Sequence, residues 1–397
     1  MFLDLLVRRN PAFLKAVVAL HQQGKLPANS YVLDADAVRC NASRLAETGA
    51  KNGVRVFGMT KQIGRCPAAV RAMVRGGVRR FVAVDMEDAR ALYHNGFQIG
   101  HLGHLVQIPR FEADAAVAMR PDYLTVFSIE KAEEAAAAAR ARGVVQNVLI
   151  RIHAPGDRFY KGHEGGFPAE SAVGIAKRIA AIPGLAFAGI TTFPALLFSE
   201  EEKKVSGTHN LSTLEKTAAA LRQAGFADLE INAPGTTSSE VVATLASAGA
   251  TQVEPGHALT GTTPLHAVRD LPEDPAIVYL SEVAHVYNGS PYCFGGGLYI
   301  DPVFPDYPVT ALVGPEPEKA LGNRIHVEFP PATAIDYYGI LHPEGRPAAS
   351  GDSVVFGFRP QAFITRAYVS AVSGVEDGRP LVEGVWKADG SRSNWPF

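Results

Sequence analysis

Cysteine is scarce. The 397 residues hold three, Cys40, Cys66 and Cys293, odd in number and far apart, which argues against a disulfide framework or a zinc cluster built on paired thiols. Charge of one sign is also lacking: 38 Lys and Arg stand against 40 Asp and Glu, so no sequence-wide field draws the chain to nucleic acid or an anionic membrane. No run approaches the roughly 20 apolar residues of a membrane helix. The opening Met1-Phe2-Leu3-Asp4-Leu5-Leu6-Val7-Arg8-Arg9 has an acid inside its apolar stretch and lacks the basic-then-apolar order of a signal peptide. The expectation is a soluble cytoplasmic protein whose partners must be argued from a site.

What is present is an ordinary globular composition, 47% hydrophobic and 20% charged, long enough for two domains. From Tyr31 to about Thr260, runs rich in Val, Ile and Phe alternate with Ala-, Arg- and Glu-rich segments of helical period. The pattern predicts strands near 54–58, 80–84, 104–108, 123–127, 148–152, 187–192, 229–233 and 251–254, with helices such as Pro67 to Arg75, Glu87 to Asn95, Ile129 to Ala141 and Ser171 to Ile182 between them. Eight repeats are the arithmetic of an α/β fold of the (β/α)8, TIM-like kind. An open doubly wound sheet shares the local alternation but places its glycine loop after the first strand; here the best glycine loops follow the last two, where barrels bind phosphate. After Pro264, Pro, Gly and short β-branched runs dominate, with strands expected at Ala276 to Leu280, Arg324 to Phe329, Ser353 to Phe356 and Ala362 to Val369. The expected domains are an N-terminal helical extension (1–27, helix from Pro11 to His21), the barrel (28–264) and a C-terminal mostly-β domain (265–397).

Three segments carry chemistry. Val54-Arg55-Val56-Phe57-Gly58-Met59-Thr60-Lys61 ends an apolar run in a lysine, whose amine, partly desolvated at a barrel mouth, becomes a usable Schiff-base nucleophile. Asn232-Ala233-Pro234-Gly235-Thr236-Thr237-Ser238-Ser239 follows a strand and precedes a helical stretch. Gly235 permits close backbone approach, and Thr236, Thr237 and Ser238 offer hydroxyls and N–H groups to a phosphate, although Ser and Thr are also routine helix caps. Glu254-Pro255-Gly256-His257 closes the last strand with a carboxylate and a second glycine turn. An amine, a carboxylate and phosphate loops at strand ends are what a protein needs to hold pyridoxal phosphate.

Phe57-Gly58-Met59-Thr60-Lys61-Gln62-Ile63-Gly64 resembles the cofactor-lysine motif of the alanine racemase-like, fold-type III pyridoxal-phosphate enzymes, and the resemblance extends from Tyr31-Val32-Leu33-Asp34 into the β-domain. It implies a barrel followed by a β-domain, a homodimer, and a free amino acid as substrate. Lys61 then holds pyridoxal 5'-phosphate, Glu254 faces the ring nitrogen, Gly256 and His257 add to the phosphate site, and Arg151 sits near the phenolic oxygen, unless that strand arginine is an internal salt-bridge partner. Tyr337, with Tyr338 beside it, reaches the phosphate. Thr192 stands where many relatives stack a histidine on the ring. Glu254-Pro255-Gly256 is similar to the decarboxylase branch, whereas alanine racemases place arginine at that nitrogen. In Gly289-Ser290-Pro291-Tyr292-Cys293-Phe294, either Tyr292 or Cys293 supplies the second acid/base, unless Cys293 is simply a buried thiol.

The glycine-rich loop from Pro155 to Phe167 is expected to carry substrate contacts, with Arg158 and His163 the candidates for a substrate carboxylate or anionic tail. No His-x-Cys or His-x-Asp pair occurs in the β-domain, so no metal is expected. The implied activity is amino acid racemisation by two-base exchange of the α-proton. Decarboxylation is the alternative, and a non-catalytic cofactor-binding role, whose known examples lack a β-domain, is the third.

Overall fold

The computed structural model describes residues 1–300, 308–331 and 333–396. The chain opens with α1 (Phe2–Arg9), α2 (Pro11–Gln22), β1 (Ser30–Asp34) and α3 (Ala35–Lys51). Strands β2 (Arg55–Met59), β3 (Arg80–Ala83), β4 (Ile99–Leu102), β5 (Tyr123–Val126) and β6 (Gln146–His153) follow, separated by α4 (Pro67–Arg75), α5 (Met86–His94), α6 (Ala113–Ala118) and α7 (Ile129–Ala141). Next come the two-residue β7 (Phe167–Pro168), α8 (Ala172–Ala180), β8 (Leu185–Thr191), the hairpin β9 (Leu196–Ser199) and β10 (Lys204–Gly207), α9 (His209–Gln223), β11 (Glu230–Asn232), α10 (Val242–Ser247) and β12 (Gln252–Val253). The remainder is β13 (Ile277–Tyr287), β14 (Ser290–Phe294), β15 (Thr310–Gly314), α11 (Pro317–Leu321), β16 (Arg324–Glu328), β17 (Tyr338–His342), β18 (Ser353–Phe356), β19 (Tyr368–Ser373) and β20 (Leu381–Lys387). These elements fall into two compact units: Ser43–Thr60 with Gly77–Gly256, and Met1–Ala42 with Lys61–Gly76 and His257–Phe397.

The first unit is a closed barrel of parallel strands in the order β2-β3-β4-β5-β6-β8-β11-β12, with β12 returning to β2. Its strands are near-continuous apolar runs, as parallel strands covered on both faces must be. Phe57, Met59, Val82, Val84, Tyr123 and Leu149 pack together as a buried cluster. In α7, Ser128 caps the first turn by accepting from the Lys131 N–H, and buried alanines at 132, 135, 136, 138 and 139 give it a small-residue face. The strand expected at 104–108 lies earlier, at Ile99–Leu102: Gly103, at φ +80°, ends it.

In the second unit the strand order is β14-β17-β16-β15-β18-β13-β1-β19-β20, antiparallel except for β1 against β19. Here the structure departs from the sequence reading. β1 lies between β13 and β19 in this sheet, outside the barrel, although residues from 28 onward were expected to belong to it. Residues 1–27 are no appendage either. Phe13, Leu14, Val17 and Leu20 bury themselves with Val278, Leu280, Val355 and Val372 in one core. Residues 362–364 form a short 3-10 turn, and the strand expected there starts at Tyr368. Among the described residues, no helix is long and apolar enough to cross a membrane.

Candidate functional site

The C-terminal ends of the barrel strands converge on a buried carboxylate. Glu254 follows β12 directly, and its Oε1 accepts from Asn232 Nδ2 at 2.9 Å, at the end of β11, and contacts His101 Nδ1 at 2.5 Å, on β4. Each of these neighbours is braced in turn: His101 Nε2 meets Thr125 Oγ1 at 2.5 Å, and Asn232 Oδ1 accepts from the Thr191 hydroxyl at 2.7 Å. The other carboxylate oxygen, Oε2, is buried with no hydrogen-bond donor among the described residues; His104 Nε2 is 3.6 Å away. Burial alone pushes the Glu254 carboxyl up, but the charges of His104 and His101 and the hydrogen bonds from His101 and Asn232 outweigh it and hold the group at about 2. The site therefore presents a negative charge with one oxygen that no described residue hydrogen-bonds.

His101, His104 and Glu254 bring ligand atoms within 4.8 Å of one another, a donor set of metal type. The 2.5 Å between His101 and Glu254 is a hydrogen-bond distance, shorter than the roughly 3.3 Å that separates two donors on one tetrahedral zinc. As it stands, the cluster is a hydrogen-bonded network.

Arg151, on β6, is 1% exposed. Among the described residues its Nε and Nη1 have no hydrogen-bond partner, while Nη2 reaches the Phe193 carbonyl at 3.5 Å. Phe127 and Phe159 lie against the guanidinium at 4.9 and 5.5 Å, and burial lowers its pKa to about 10. Within the same unit, the loop from Pro155 to Phe167 folds Tyr160 and His163 over Phe193, with ring centroids 5.6 and 6.5 Å away, and Phe193 meets His104 edge-on at 5.5 Å. Thr192 is buried and accepts from Asn210. Arg158 is exposed, and its backbone is tied to Asn210.

Gly235 is required, but for another reason than the one expected from the sequence. A Cβ there would stand 2.6 Å from the Leu196 backbone nitrogen, so the close approach it permits is to β9. The Thr236 and Thr237 N–H groups donate to the Leu196 and Gly235 carbonyls, and the Thr237 hydroxyl donates to the Gly235 carbonyl at 3.4 Å, which leaves the Thr236 hydroxyl and Ser238 as the phosphate candidates of this turn.

Gly256 is the last residue of the barrel unit, and the second unit holds the other candidates. Lys61 opens a 3-10 turn (Lys61–Ile63) directly after Thr60, its Nζ 5.1 Å from the Phe363 ring centroid; Arg65, buried at φ +52°, approaches the same ring at 5.6 Å. His257 is buried with Nδ1 3.0 Å from Thr262 Oγ1. Burial, reinforced by the charges of Arg359, Lys61 and His266, holds its pKa well below the usual histidine range. Tyr337 is 61% exposed beside Arg366.

Cys293 does not suit acid/base work: it is fully buried in β14, and burial pushes its thiol up to about 12. Tyr292, on the opposite face of that strand, is half-buried and stacks on His285 at 4.8 Å. Sequence reasoning missed His101, His104 and Thr125. The signal was His101-x-x-His104 at the end of a barrel strand, hidden because that strand was placed several residues too late.

Barrel closure, polar convergence at the strand ends and the appended sheet define a class. Residues 33–264, more than half of the chain, match the family described as alanine racemase, N-terminal domain. The chain belongs to that family, and its fold is the alanine racemase-like, fold-type III arrangement. Residues 278–382 match a second family, YhfX-like, C-terminal domain. "Uncharacterized protein YhfX" of Escherichia coli (strain K12) is 39% identical over 391 residues, 98% of this chain and 99% of that protein.

Among solved structures, D-threonine aldolase from Filomicrobium marinum superposes with a TM-score of 0.68 at 19% identity, covering 92% of this chain and 96% of that one. Alanine racemase of Clostridium difficile 630 in complex with cycloserine gives 0.64 at 14%, covering 91% and 99%. D-threo-3-hydroxyaspartate dehydratase from Delftia sp. HT23 gives 0.64 at 18%, covering 90% and 97%. At these identities the likeness is one of fold.

Proposed function

We propose that this protein is a pyridoxal-phosphate-dependent amino acid racemase that works as a homodimer. The observation that carries the reading is Glu254: an ionised, fully buried carboxylate at a barrel strand end, with Oε2 lacking a hydrogen-bond donor among the described residues. An unengaged buried acceptor is costly, and a protonated ring nitrogen is the donor that relieves it. The Arg151 N–H groups that lack acceptors suit a phenolate oxygen in the same way. The donor and acceptor set of the barrel therefore fits the cofactor.

Bound pyridoxal phosphate supplies the electron sink for a bond broken at the amino acid α-carbon. Lys61 holds the cofactor and then, as a free amine, takes the α-proton on one face. Tyr292, the more accessible of the two β14 candidates, returns a proton on the other. Gly256, His257, Ser238 and Tyr337 are assigned to the phosphate, and Arg158 and His163 to the substrate carboxylate.

Decarboxylation is the second reading, because an ionised Glu254 makes a strong electron sink that serves either bond cleavage. The test starts with the visible spectrum of the protein mixed with pyridoxal phosphate, then borohydride reduction and peptide mapping. Trapping on Lys61, followed by solvent-deuterium incorporation with loss of optical rotation, is the expected result. Carbon dioxide release in place of racemisation would move the assignment to decarboxylase. Trapping without any turnover would leave a binding protein, and trapping elsewhere would remove Lys61 from the scheme.

A further inference from the structure

The barrel devotes four side chains to one oxygen of one carboxylate. Glu254 Oε1 faces His101 Nδ1 and Asn232 Nδ2, and those two are held by Thr125 and Thr191 through their far ends. With two partners on Oε1, the carboxylate is fixed in rotation and its remaining acceptor capacity is concentrated on Oε2. That oxygen is buried, without a hydrogen-bond donor among the described residues, and His104 Nε2 at 3.6 Å lies just beyond bonding reach. An internal ion pair evolved only for stability would engage both oxygens. This network hydrogen-bonds one and meets the other only through the longer His104 ion-pair contact at 3.6 Å.

We propose that His101 is a positioning residue, aided by Asn232, that saturates Oε1 so that Oε2 becomes a single-acceptor subsite selective for a ring nitrogen carrying a proton. The inference rests on the cofactor reading above and deepens it: His101 touches neither cofactor nor substrate and acts through Glu254. Without His101, Oε1 keeps one donor, the carboxylate can turn, and the charge that favours an N–H partner over an isosteric C–H is weakened.

The experiment compares two ligands of the full-length apoprotein, pyridoxal phosphate and its 1-deaza analogue, in which the ring nitrogen is a C–H group. The affinity ratio is read by visible absorption in the wild type and in variants at His101 and Thr125. The wild type is expected to favour the nitrogen ring by about 10- to 100-fold, the range of one charge-assisted hydrogen bond. His101→Leu is expected to reduce the ratio to about threefold or less, whereas His101→Asn, whose amide N–H can take the place of Nδ1–H, keeps most of it. Thr125→Val removes only the brace on His101 and is expected to fall between; it carries the test if His101→Leu does not fold.

A merely structural histidine would lower thermal stability and weaken both ligands alike. An unchanged ratio in His101→Leu, or in Thr125→Val where that variant carries the test, therefore overturns the proposal. The two readings fail separately: if borohydride traps nothing on Lys61 of the wild type, the cofactor reading falls. If trapping succeeds and the ratio does not respond, only the role of His101 falls.

Discussion

The two ends of the barrel each carry a carboxylate in a polar network, and they are built on different terms. At the N-terminal end, Arg55, Tyr123 and Glu230 are the first residues of β2, β5 and β11. Glu230 Oε2 accepts from Thr251 and from Gln252 at 2.7 Å each and pairs with Arg55, while Oε1 accepts from the Tyr123 hydroxyl at 3.0 Å. Both oxygens are engaged, and the Arg55 side chain is half exposed. At the C-terminal end, Glu254 is wholly buried with one oxygen hydrogen-bonded and the other without a donor among the described residues, and Arg151, on β6, is buried with two nitrogens that no described residue hydrogen-bonds. A satisfied network closes the floor of the barrel. An unsatisfied one at the mouth marks where a ligand completes it, in keeping with where barrels place their chemistry.

That contrast is broken most severely at Glu254. Glu254→Gln keeps the shape and one carbonyl oxygen but offers an amide N–H where Oε2 was an acceptor. Racemisation should fall by about 10²- to 10⁴-fold, measured as α-deuterium exchange, with the protein still folded. A loss below about threefold would detach Glu254 from the chemistry. Arg151→Met exchanges an unpaired buried cation for an apolar side chain of similar length. It should raise the melting temperature, a gain of about 1 to 2 kcal/mol, while weakening pyridoxal phosphate binding about tenfold. A destabilised protein would mean that Arg151 holds the fold rather than a ligand.

Glu230→Gln at the opposite end should do the reverse. Turnover should stay within about twofold, and stability should fall by about 1 kcal/mol or less, because Arg55 is half exposed and solvent screens the pair. Urea unfolding monitored beside the deuterium assay reads both quantities. A large loss of turnover here would erase the distinction between floor and mouth.

Much of this was legible in the residues, for identifiable reasons. Helices Pro67–Arg75 and Ile129–Ala141 were expected at the bounds observed, because proline and serine punctuate their starts and apolar periodicity runs unbroken through them. The barrel was legible because eight apolar runs recur with helical segments between. β1 was not: Tyr31-Val32-Leu33 is as apolar as any barrel strand, and only its long-range pairing with β13 and β19 assigns it to the other sheet. Glu254 and Arg151 could be picked out from their motifs, whereas His101-x-x-His104 was a signal only once the strand at Ile99–Leu102 was placed. The value of His101 lies in contacts with residues 24 and 153 positions away, which no local pattern encodes. Cys293 failed for a similar reason, since a glycine turn in the sequence says nothing of the sheet that buries it.

The finest comparison of the two ends is their acid response. Both glutamates are held below their ordinary value of 4.5, Glu254 to about 2 and Glu230 by a smaller amount. A carboxyl whose folded pKa is depressed binds fewer protons folded than unfolded over that interval. Its contribution is therefore complete above pH 4.5 and is lost as pH falls toward the folded value. The interval reaches further for Glu254, down to about 2, so replacing it should flatten the acid limb of stability more than replacing Glu230. Acid unfolding followed by circular dichroism is expected to show midpoints for Glu254→Gln and Glu230→Gln that differ by a few tenths of a pH unit, roughly, with Glu254→Gln the less pH-sensitive of the two. Equal slopes in both variants would show that the mouth carboxylate gains no more on folding from His101, His104 and Asn232 than Glu230 gains from its own partners, and the two ends would no longer differ in how they hold a charge.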